Sequence, residues 1–147
     1  MLTANPRRPD GWESLGDIGR LDADGYLYLG DRLADMIVRG GANIYPAEVE
    51  AAVTAHPDVR SCIVVGLPDP EFGQRVHAIV ELDPGSDAQA IVGMNDFLND
   101  KLSRYKRPES YEIVGAPLRD DAGKVRRAFL RDERAAWRQK RPFRIML

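Results

Sequence analysis

The residues of this sequence that could take part in chemistry lie in charged turns punctuated by glycines. Lys124 directly follows a glycine in a polar loop, and Asp17 and Arg32 stand at the two ends of a predicted hairpin. Gly40 and Gly41 lack side chains, so a ligand or another backbone segment can approach them closely. Taken one at a time, these residues indicate only a solvated lysine, a structural ion pair and a tight turn. Their combination and order along the chain must therefore carry any assignment of function.

Several other motifs lack a residue that the site they suggest requires. The segment Asp22–Gly25 begins like a calcium-binding loop, but Leu27 stands at the sixth position, where glycine is required. The pair Gly123-Lys124 is not followed by the Ser or Thr of a phosphate-binding loop. Two histidines and one cysteine, Cys62, do not make a credible set of metal ligands. We therefore predict no metal site, and the chain is a poor candidate for a self-contained enzyme.

The elements that must position these residues predict an α+β fold. Apolar alternation and turn residues indicate a hairpin over Asp17–Arg32 and strands at 36–38, 59–65, 75–82 and 111–114. Helices are predicted from Pro46, from a capping box that begins at Ser86, and from about Arg126. Within strand 75–82 the pattern places His77 on the polar face. We expect a small mixed β-sheet of about three strands, flanked by helices and preceded by a β-hairpin.

Composition excludes several classes of protein. The 147 residues carry 21 basic and 23 acidic side chains, a balance that argues against a nucleic-acid partner. No apolar run approaches the length of a membrane span, and the single cysteine rules out an internal disulfide. We therefore predict a cytoplasmic protein. From Arg126 onward eight basic residues face two acidic ones, which indicates a solvated terminal helix or, alternatively, a docking segment for an anionic cofactor, nucleic acid or acidic partner.

Four segments with specific motifs follow one another in a recognisable order. They are Gly11–Asp17, Gly30–Glu50, Gly66–Gln74 and Pro117–Arg127. Together they closely resemble the C-terminal motifs of the adenylate-forming enzymes, a superfamily that includes acyl-CoA synthetases, adenylation domains of nonribosomal peptide synthesis and firefly luciferases. The resemblance extends from about Gly11 to about Phe129. Three of its motifs are spaced along the chain in the family's order, which makes it specific.

The resemblance implies an activity that needs two bodies of protein. Members of the family use ATP and Mg²⁺ to convert a carboxylic acid to an acyl-adenylate, and then transfer the acyl group to CoA or a carrier thiol. A large N-terminal domain holds the acid and most of the nucleotide, and a small C-terminal domain rotates between the two half-reactions. We expect residues 1–33 to end the large domain, 34–136 to form the small mobile domain and 137–147 to form a basic tail.

The resemblance also assigns roles to individual residues. It implies that Lys124 is the adenylation lysine, whose cation stabilises the charge that develops when a carboxylate attacks the α-phosphate. It implies that Asp17 binds the ribose hydroxyls and that Arg32 contacts the nucleotide. Ala34 stands at the hinge, where the family usually has Asp or Lys. The pair Gly40-Gly41 stands in the loop that enters the site for thioester formation, where a pantetheine arm needs room.

Cofactors and partners follow from the same resemblance. It implies ATP or AMP, Mg²⁺ and CoA for the parent enzyme, with none of them held tightly by this chain alone. The implied partners are the large N-terminal adenylation domain and a CoA or carrier thiol. Because the acid pocket and the phosphate loop are absent, we expect the isolated chain to be inactive. Apolar surface left without the large domain makes self-association a further hypothesis.

Two other functions remain open at the level of sequence. One is a stand-alone interaction or regulatory module that keeps the fold without catalysis and docks through its basic tail. The other is the corresponding part of a carrier-protein adenylation domain, which shares all the residues named above. The acid itself is also open, with fatty, aromatic and steroid acids as candidates.

Overall fold

The computed structural model describes the backbone of residues 9–140 and the side chains of residues 9–137. The strands are β1 Asp17–Leu21, β2 Leu27–Arg32, β3 Ile37–Arg39, β4 Ala42–Ile44, β5 Val59–Asp69, β6 Gly73–Leu82 and β7 Ser110–Val114. The helices are α1 Pro46–Thr54, α2 Gln89–Val92, α3 Met94–Phe97 and α4 Arg127–Lys140, with 3₁₀ turns at Leu33–Asp35 and Arg104–Lys106. Residues 1–8 of the predicted end of the large domain and residues 141–147 of the predicted basic tail lie outside the described part.

The main sheet has three strands in the order β5-β6-β7. β5 and β6 pair antiparallel, with Val64 opposite Ala78, whereas β6 and β7 pair parallel, with Ile79 opposite Glu112. The long apolar run of β5 is buried on both faces, as its sequence predicts. The predicted α+β class, with a small mixed sheet, flanking helices and a preceding hairpin, is confirmed.

Two apolar clusters cover the two faces of this sheet. The first joins the sheet to α1 and to α3 and the turn after it; among its buried residues are Val49, Val53, Val64, Ala78, Met94, Leu98 and Leu102. The second is smaller and lies under the loop between β7 and α4; its residues are Ile63, Val65, Leu67 and Ile79, with Val114, Leu118, Val125 and Leu130 packed against them. The β7–α4 loop is therefore attached to the core by its own apolar side chains.

The N-terminal hairpin pairs β1 with β2 in antiparallel register and contains a bulge between Ile18 and Gly19. Gly25 supplies the positive φ of the turn, at 86°. A carboxylate oxygen of Asp22 accepts the backbone N–H groups of Asp24 and Tyr26 across 3.0 and 2.9 Å. The bond from the Tyr26 N–H is the main reason that the pKa of Asp22 lies below its usual range. The hairpin predicted over Asp17–Arg32 is confirmed, and the same residues begin and end it.

The tight turn that the sequence indicates at Gly40-Gly41 lies inside a second hairpin. β3 pairs antiparallel with β4, which the sequence did not indicate, and the two glycines join them with φ angles of 54° and 83°. Positive φ is costly for other residues, which explains the need for glycine at this turn.

The prediction of one helix that begins with a capping box at Ser86 is wrong, because the structure has two short helices and no such cap. The Ser86 hydroxyl donates to Asp58 across 3.0 Å instead, and helix α2 begins without a side-chain cap. Gly93 divides the predicted helix into α2 and α3. The apolar spacing nevertheless identifies the core correctly, because Met94 and Leu98 are fully buried.

His77, which the sequence places on the polar face of its strand, is buried. Its Nδ1 lies 2.8 Å from the Ser110 hydroxyl, and its Nε2 lies 3.5 Å from Glu112. Arg134 of α4 donates to both carboxylate oxygens of Glu112 across 2.6 and 2.8 Å. Burial opposes ionisation of Glu112, but the bonds from His77 and Arg134 outweigh it and hold its pKa at about 2. This polar cluster fastens α4 to the sheet.

In the described part of the chain, no helix has both the length and the apolar character needed to cross a membrane.

Candidate active site

Lys124 lies near the end of the loop between β7 and α4 and is exposed. Two apolar residues of this loop, Leu118 and Val125, pack against the second cluster on the sheet. Gly123, the residue before the lysine, has a positive φ of 74°. The buried side chains hold the loop at its base while the lysine stays at its surface.

Asp120 closes the turn that presents Lys124. One carboxylate oxygen of Asp120 accepts the backbone N–H groups of Ala122 and Lys124 across 3.0 and 2.8 Å. The backbone N–H of Asp120 donates to the Lys124 carbonyl across 3.1 Å, and the Gly123 N–H donates to the Asp120 carbonyl across 2.8 Å. Among the described residues, no hydrogen bond or ion pair engages the ammonium group of Lys124. The cation is available to an external anion.

Asp17 and Arg32 face each other across the first hairpin. They are register partners of β1 and β2, and the Arg32 Nε lies 3.5 Å from an Asp17 carboxylate oxygen. Taken alone, Arg32 would be expected to pair with Asp31 or Asp35, and its side chain pairs with Asp17 instead. Asp31 accepts the backbone N–H groups of Arg32 and Ala47, both across 2.9 Å, and thereby links the hairpin to the start of α1. A carboxylate and a guanidinium therefore lie side by side on an exposed strand end.

Ala34 lies in the 3₁₀ turn Leu33–Asp35, which connects the hairpin to β3, and it is exposed. The Leu33 N–H donates to the Gly16 carbonyl across 2.8 Å, which ties one side of the turn to the hairpin. On the other side, Asp35 forms an ion pair with Arg127 across 3.4 Å. The predicted hinge thus lies between a residue held by the hairpin and one held by α4.

The Gly40-Gly41 turn rests on the turn between β5 and β6. The Gly40 N–H donates to the Phe72 carbonyl across 2.9 Å. The neighbouring Arg39 places its guanidinium 4.4 Å from the centre of the Phe72 ring and forms an ion pair with Glu109 across 2.6 Å. These contacts hold the two glycines at an exposed tip without filling the space around Gly41.

Glu50 and Arg127 form an ion pair at the open edge of β5. Glu50 accepts the backbone N–H of Val64 across 2.8 Å, and Arg127 donates to the Val64 carbonyl across 3.2 Å. Burial raises the pKa of Glu50, and the nearby Arg127 cation and the Val64 N–H oppose that rise. The N–H and the C=O of Val64, which an edge strand would otherwise leave unpaired, are thus both bonded to side chains.

Apart from the hinge residue Ala34, the predicted site residues lie in three separate places. Within residues 9–137, no hydrogen bond or ion pair joins Lys124 to the Asp17–Arg32 pair or to the Gly40-Gly41 turn. The same part of the chain contains no group of three or more His, Cys, Asp or Glu side chains that could hold a metal ion. The structure thus brings together Asp17 and Arg32, and it leaves the lysine and the glycine turn apart from them.

A family model decides the relationship of this chain to known proteins. The model of the AMP-binding enzyme C-terminal domain matches residues 48–124, just over half of the chain, and its last matched residue is the loop lysine. The chain belongs to this family. The resemblance to the C-terminal domain of the adenylate-forming enzymes is confirmed.

Relatives of this AMP-binding C-terminal domain include fatty acid ligases. The chain is 41% identical over 128 residues to the long-chain-fatty-acid–CoA ligase FadD13 of Mycobacterium tuberculosis, covering 86% of this chain and 25% of that protein. It is also 41% identical over 123 residues to the fatty acid–[acyl-carrier-protein] ligase ScoC of Streptomyces coeruleorubidus, covering 84% of this chain and 24% of that protein. The chain spans about a quarter of the length of these relatives.

Solved structures show the same fold. A fatty acyl CoA synthetase of Mycobacterium tuberculosis superposes with a TM-score of 0.69 at 38% identity, over 88% of this chain and 26% of that one. ATP-bound MatB from Rhodopseudomonas palustris superposes with a TM-score of 0.78 at 32% identity, over 88% of this chain and 26% of that one. The match again covers about a quarter of each solved chain.

Sequence reasoning missed two residues that shape the AMP-binding C-terminal domain. The sequence indicated Glu50 and Arg127 only as the last residues of two motif segments, Gly30–Glu50 and Pro117–Arg127. The two lie 77 positions apart, so no local periodicity could join them. The signal in the sequence was weak: Glu50 is an acidic residue that directly follows the apolar Val49 in the predicted helix.

Proposed function

We propose that the chain is the lysine-bearing C-terminal part of an ATP-dependent acid–thiol ligase. It presents Lys124 to a nucleotide and a carboxylic acid that are held by another domain. One observation carries this proposal: an exposed lysine, with no partner among the described residues, sits on a loop that is closed by Asp120 and anchored in the core. A cation held in this way can stabilise the negative charge that develops as a carboxylate attacks the α-phosphate.

The Asp17–Arg32 pair is proposed to bind the nucleotide beside that lysine. An ionised carboxylate can accept two hydrogen bonds from a ribose diol, and a guanidinium keeps its charge at any physiological pH. Solved relatives support a nucleotide ligand, since MatB was determined with ATP and the synthetase MenE of Bacillus subtilis with AMP. Mg²⁺ in the parent enzyme would accompany the ATP phosphates, and we assign it no ligand among the described residues.

The glycine turn and the hinge are proposed to serve the second half-reaction. The side-chain-free turn at Gly40-Gly41 leaves room for a thiol-bearing arm to reach the acyl carbonyl. Rotation about Ala34 would exchange this turn for Lys124 at the reaction centre. The boundaries 1–33, 34–136 and 137–147 remain predictions, with α4 extending to Lys140 across the last of them.

The absent large domain is proposed as the partner of the first hairpin. This hairpin exposes several large apolar side chains, among them Leu21, Leu27 and Leu29, with 59–69% of each accessible to solvent. Surface of this kind marks an interaction site. No contact among residues 9–137 and none of the relatives named above favours the alternative of a stand-alone regulatory module. The acceptor is proposed to be CoA or a carrier thiol, since relatives carry both names. A cytoplasmic location remains a prediction.

A hybrid enzyme tests the proposal. The matching quarter of FadD13 is replaced by this chain, and pyrophosphate release is measured with ATP and a long-chain fatty acid. We expect activity from the hybrid and none from the truncated FadD13 or from this chain alone. A folded hybrid without activity, or an isolated chain that forms AMP, would contradict the proposal.

A further inference from the structure

We infer that Arg127 is a positioning residue that fixes the base of the Lys124 loop to helix α1, to the edge of strand β5 and to the residue that follows Ala34. The inference rests on the proposed role of Lys124 and deepens it. Arg127 acts through Lys124 in this account and does not touch substrate.

Contacts in three directions carry the inference. Arg127 is the first residue of α4 and stands three positions after Lys124. Its Nη1 pairs with the Glu50 carboxylate of α1 and donates to the Val64 carbonyl of β5 across 3.2 Å. Its Nε lies 3.4 Å from the Asp35 carboxylate, beside the predicted hinge. The side chain is 17% exposed, so most of this network is shielded from solvent.

At Val64 the backbone donor faces an acidic side chain, and the backbone acceptor faces a basic one. Val64 belongs to an edge strand, and its N–H and C=O point away from β6 toward Glu50 and Arg127. The planar guanidinium can serve the two carboxylates and the carbonyl at once, because its donors form a fixed fork. A lysine ammonium is a point charge without that fork. The position therefore requires arginine and not merely a positive charge.

Nearby arginines do not share these contacts. Arg131 lies one turn further along α4 and pairs with its neighbour Asp132 across 3.0 Å, with 38% of its side chain exposed. Arg126, next to Arg127, is exposed. All three arginines carry a positive charge, but of the three it is Arg127 that contacts α1, β5 and the hinge turn.

The contacts of Arg127 fix the position of the Lys124 loop relative to the hinge. Val125 packs in the core and Asp120 closes the turn, but neither fixes where the turn lies relative to the hinge. The Arg127–Asp35 pair supplies that relationship, since Asp35 directly follows Ala34. A rotation about Ala34 would then carry the Lys124 loop as a rigid extension of the rotating body.

Hydrogen exchange in the 147-residue chain tests the anchor without any activity. The variants are Arg127→Lys and Asp35→Asn, which keep the side chains similar in size, with Arg131→Lys as the matched control. We expect the amides of residues 118–126 to exchange about tenfold faster in both variants, while the β5 and β6 amides keep the wild-type rate. Loop exchange equal to that of the control, or equal acceleration throughout β5 and β6, would overturn the inference.

A double-mutant cycle in the hybrid enzyme tests the action through Lys124. We expect Arg127→Lys to lower kcat for adenylation by about 10- to 100-fold, with little change in the KM for ATP, and to spare thioester formation from preformed adenylate. In a Lys124→Ala background the same substitution should have no further effect. Independent effects of the two substitutions would overturn the positioning role. An inactive unmodified hybrid would contradict the proposed function, and hydrogen exchange would still decide the anchor.

Discussion

The carboxylate of Asp120 accepts the backbone N–H of Lys124 across 2.8 Å, and the N–H of Asp120 donates to the Lys124 carbonyl across 3.1 Å. The turn that presents the lysine is thus closed by another side chain, and the lysine's own ammonium group takes no part in it. Folding of the loop and chemistry of the cation are therefore separable, and substitutions can address one without the other.

Asp120→Ala should impair presentation of the lysine while leaving the fold intact. The substitution removes the acceptor for two backbone amides in an exposed turn, so we expect a loss of about 1 kcal/mol or less in the free energy of unfolding. Adenylation by the hybrid enzyme should fall by about tenfold, because the turn no longer holds one shape. Stopped-flow measurement of adenylate formation provides the readout. The exposed neighbour Asp121→Ala is the control, and equal loss in both variants would contradict this account.

Gly41→Ala should impair the thioester half-reaction selectively. Gly41 has a φ of 83°, and an alanine there costs about 1 kcal/mol of backbone strain. We expect thioester formation from preformed adenylate to slow by about tenfold and adenylation to stay near the wild-type rate. Gly85→Ala is the matched control, since Gly85 also has a positive φ, of 95°, and equally open surroundings. If the control slows the same step equally, the effect belongs to strain and not to the turn.

Glu112→Gln should change how stability depends on pH. The pKa of Glu112 falls from 4.5 to about 2 in the folded chain, so the unfolded chain takes up the proton first as the pH drops. The stabilisation is present above pH 4.5 and is lost as the pH falls toward 2. At pH 7 the variant should be less stable by about 2 kcal/mol, because it loses a charged, hydrogen-bonded partner of Arg134 in a pair that is largely shielded from solvent.

Urea unfolding at pH 7 and pH 3 measures this difference. The difference in free energy of unfolding between the wild type and Glu112→Gln should be smaller at pH 3 than at pH 7. The control Glu71→Gln, at an exposed position, should be as stable as the wild type at both pH values. If this difference in free energy of unfolding is the same at both pH values, the prediction is contradicted, and the Arg134 contact stabilises the fold through packing alone.

The exposed hairpin should make the isolated chain self-associate. Leu27 and Leu29 lie on one face of β2 and are 59% and 68% exposed, and each buried side chain of this kind contributes about 1.5–3 kcal/mol to an interface. We expect Leu27→Ser with Leu29→Ser to raise the concentration at which oligomers form, as measured by sedimentation velocity. Val92→Ser, 68% exposed on α2, is the control. A wild-type chain that stays monomeric at millimolar concentration would refute the hypothesis.

The elements that could be predicted from sequence are those whose signals are local. Gly25 marks the turn of the first hairpin, and Pro46 marks the first residue of α1, because each acts on its own backbone. The apolar run of β5 likewise identifies a strand that is buried on both faces. Local propensity and burial agree in these elements, so the sequence suffices.

The features that sequence reasoning missed depend on distant partners. His77 is buried beside Glu112 of β7, and Glu112 in turn accepts hydrogen bonds from Arg134 of α4. The Ser86 hydroxyl donates to Asp58, 28 positions earlier, and does not cap a helix. β4 has only three residues, too few for alternation to show. At the candidate site, an isolated lysine and a glycine pair carry no chemistry by type alone, and only the motif order pointed to their roles.

The central claim is that the ammonium group of Lys124 acts in adenylation and not in folding or thioester formation. The most direct measurement compares the two half-reactions of the hybrid enzyme with Lys124→Ala. We predict that adenylate formation falls by about 100- to 1,000-fold, while thioester formation from preformed adenylate and the thermal midpoint stay unchanged. Equal loss of both half-reactions, or full adenylation by the variant, would contradict the account.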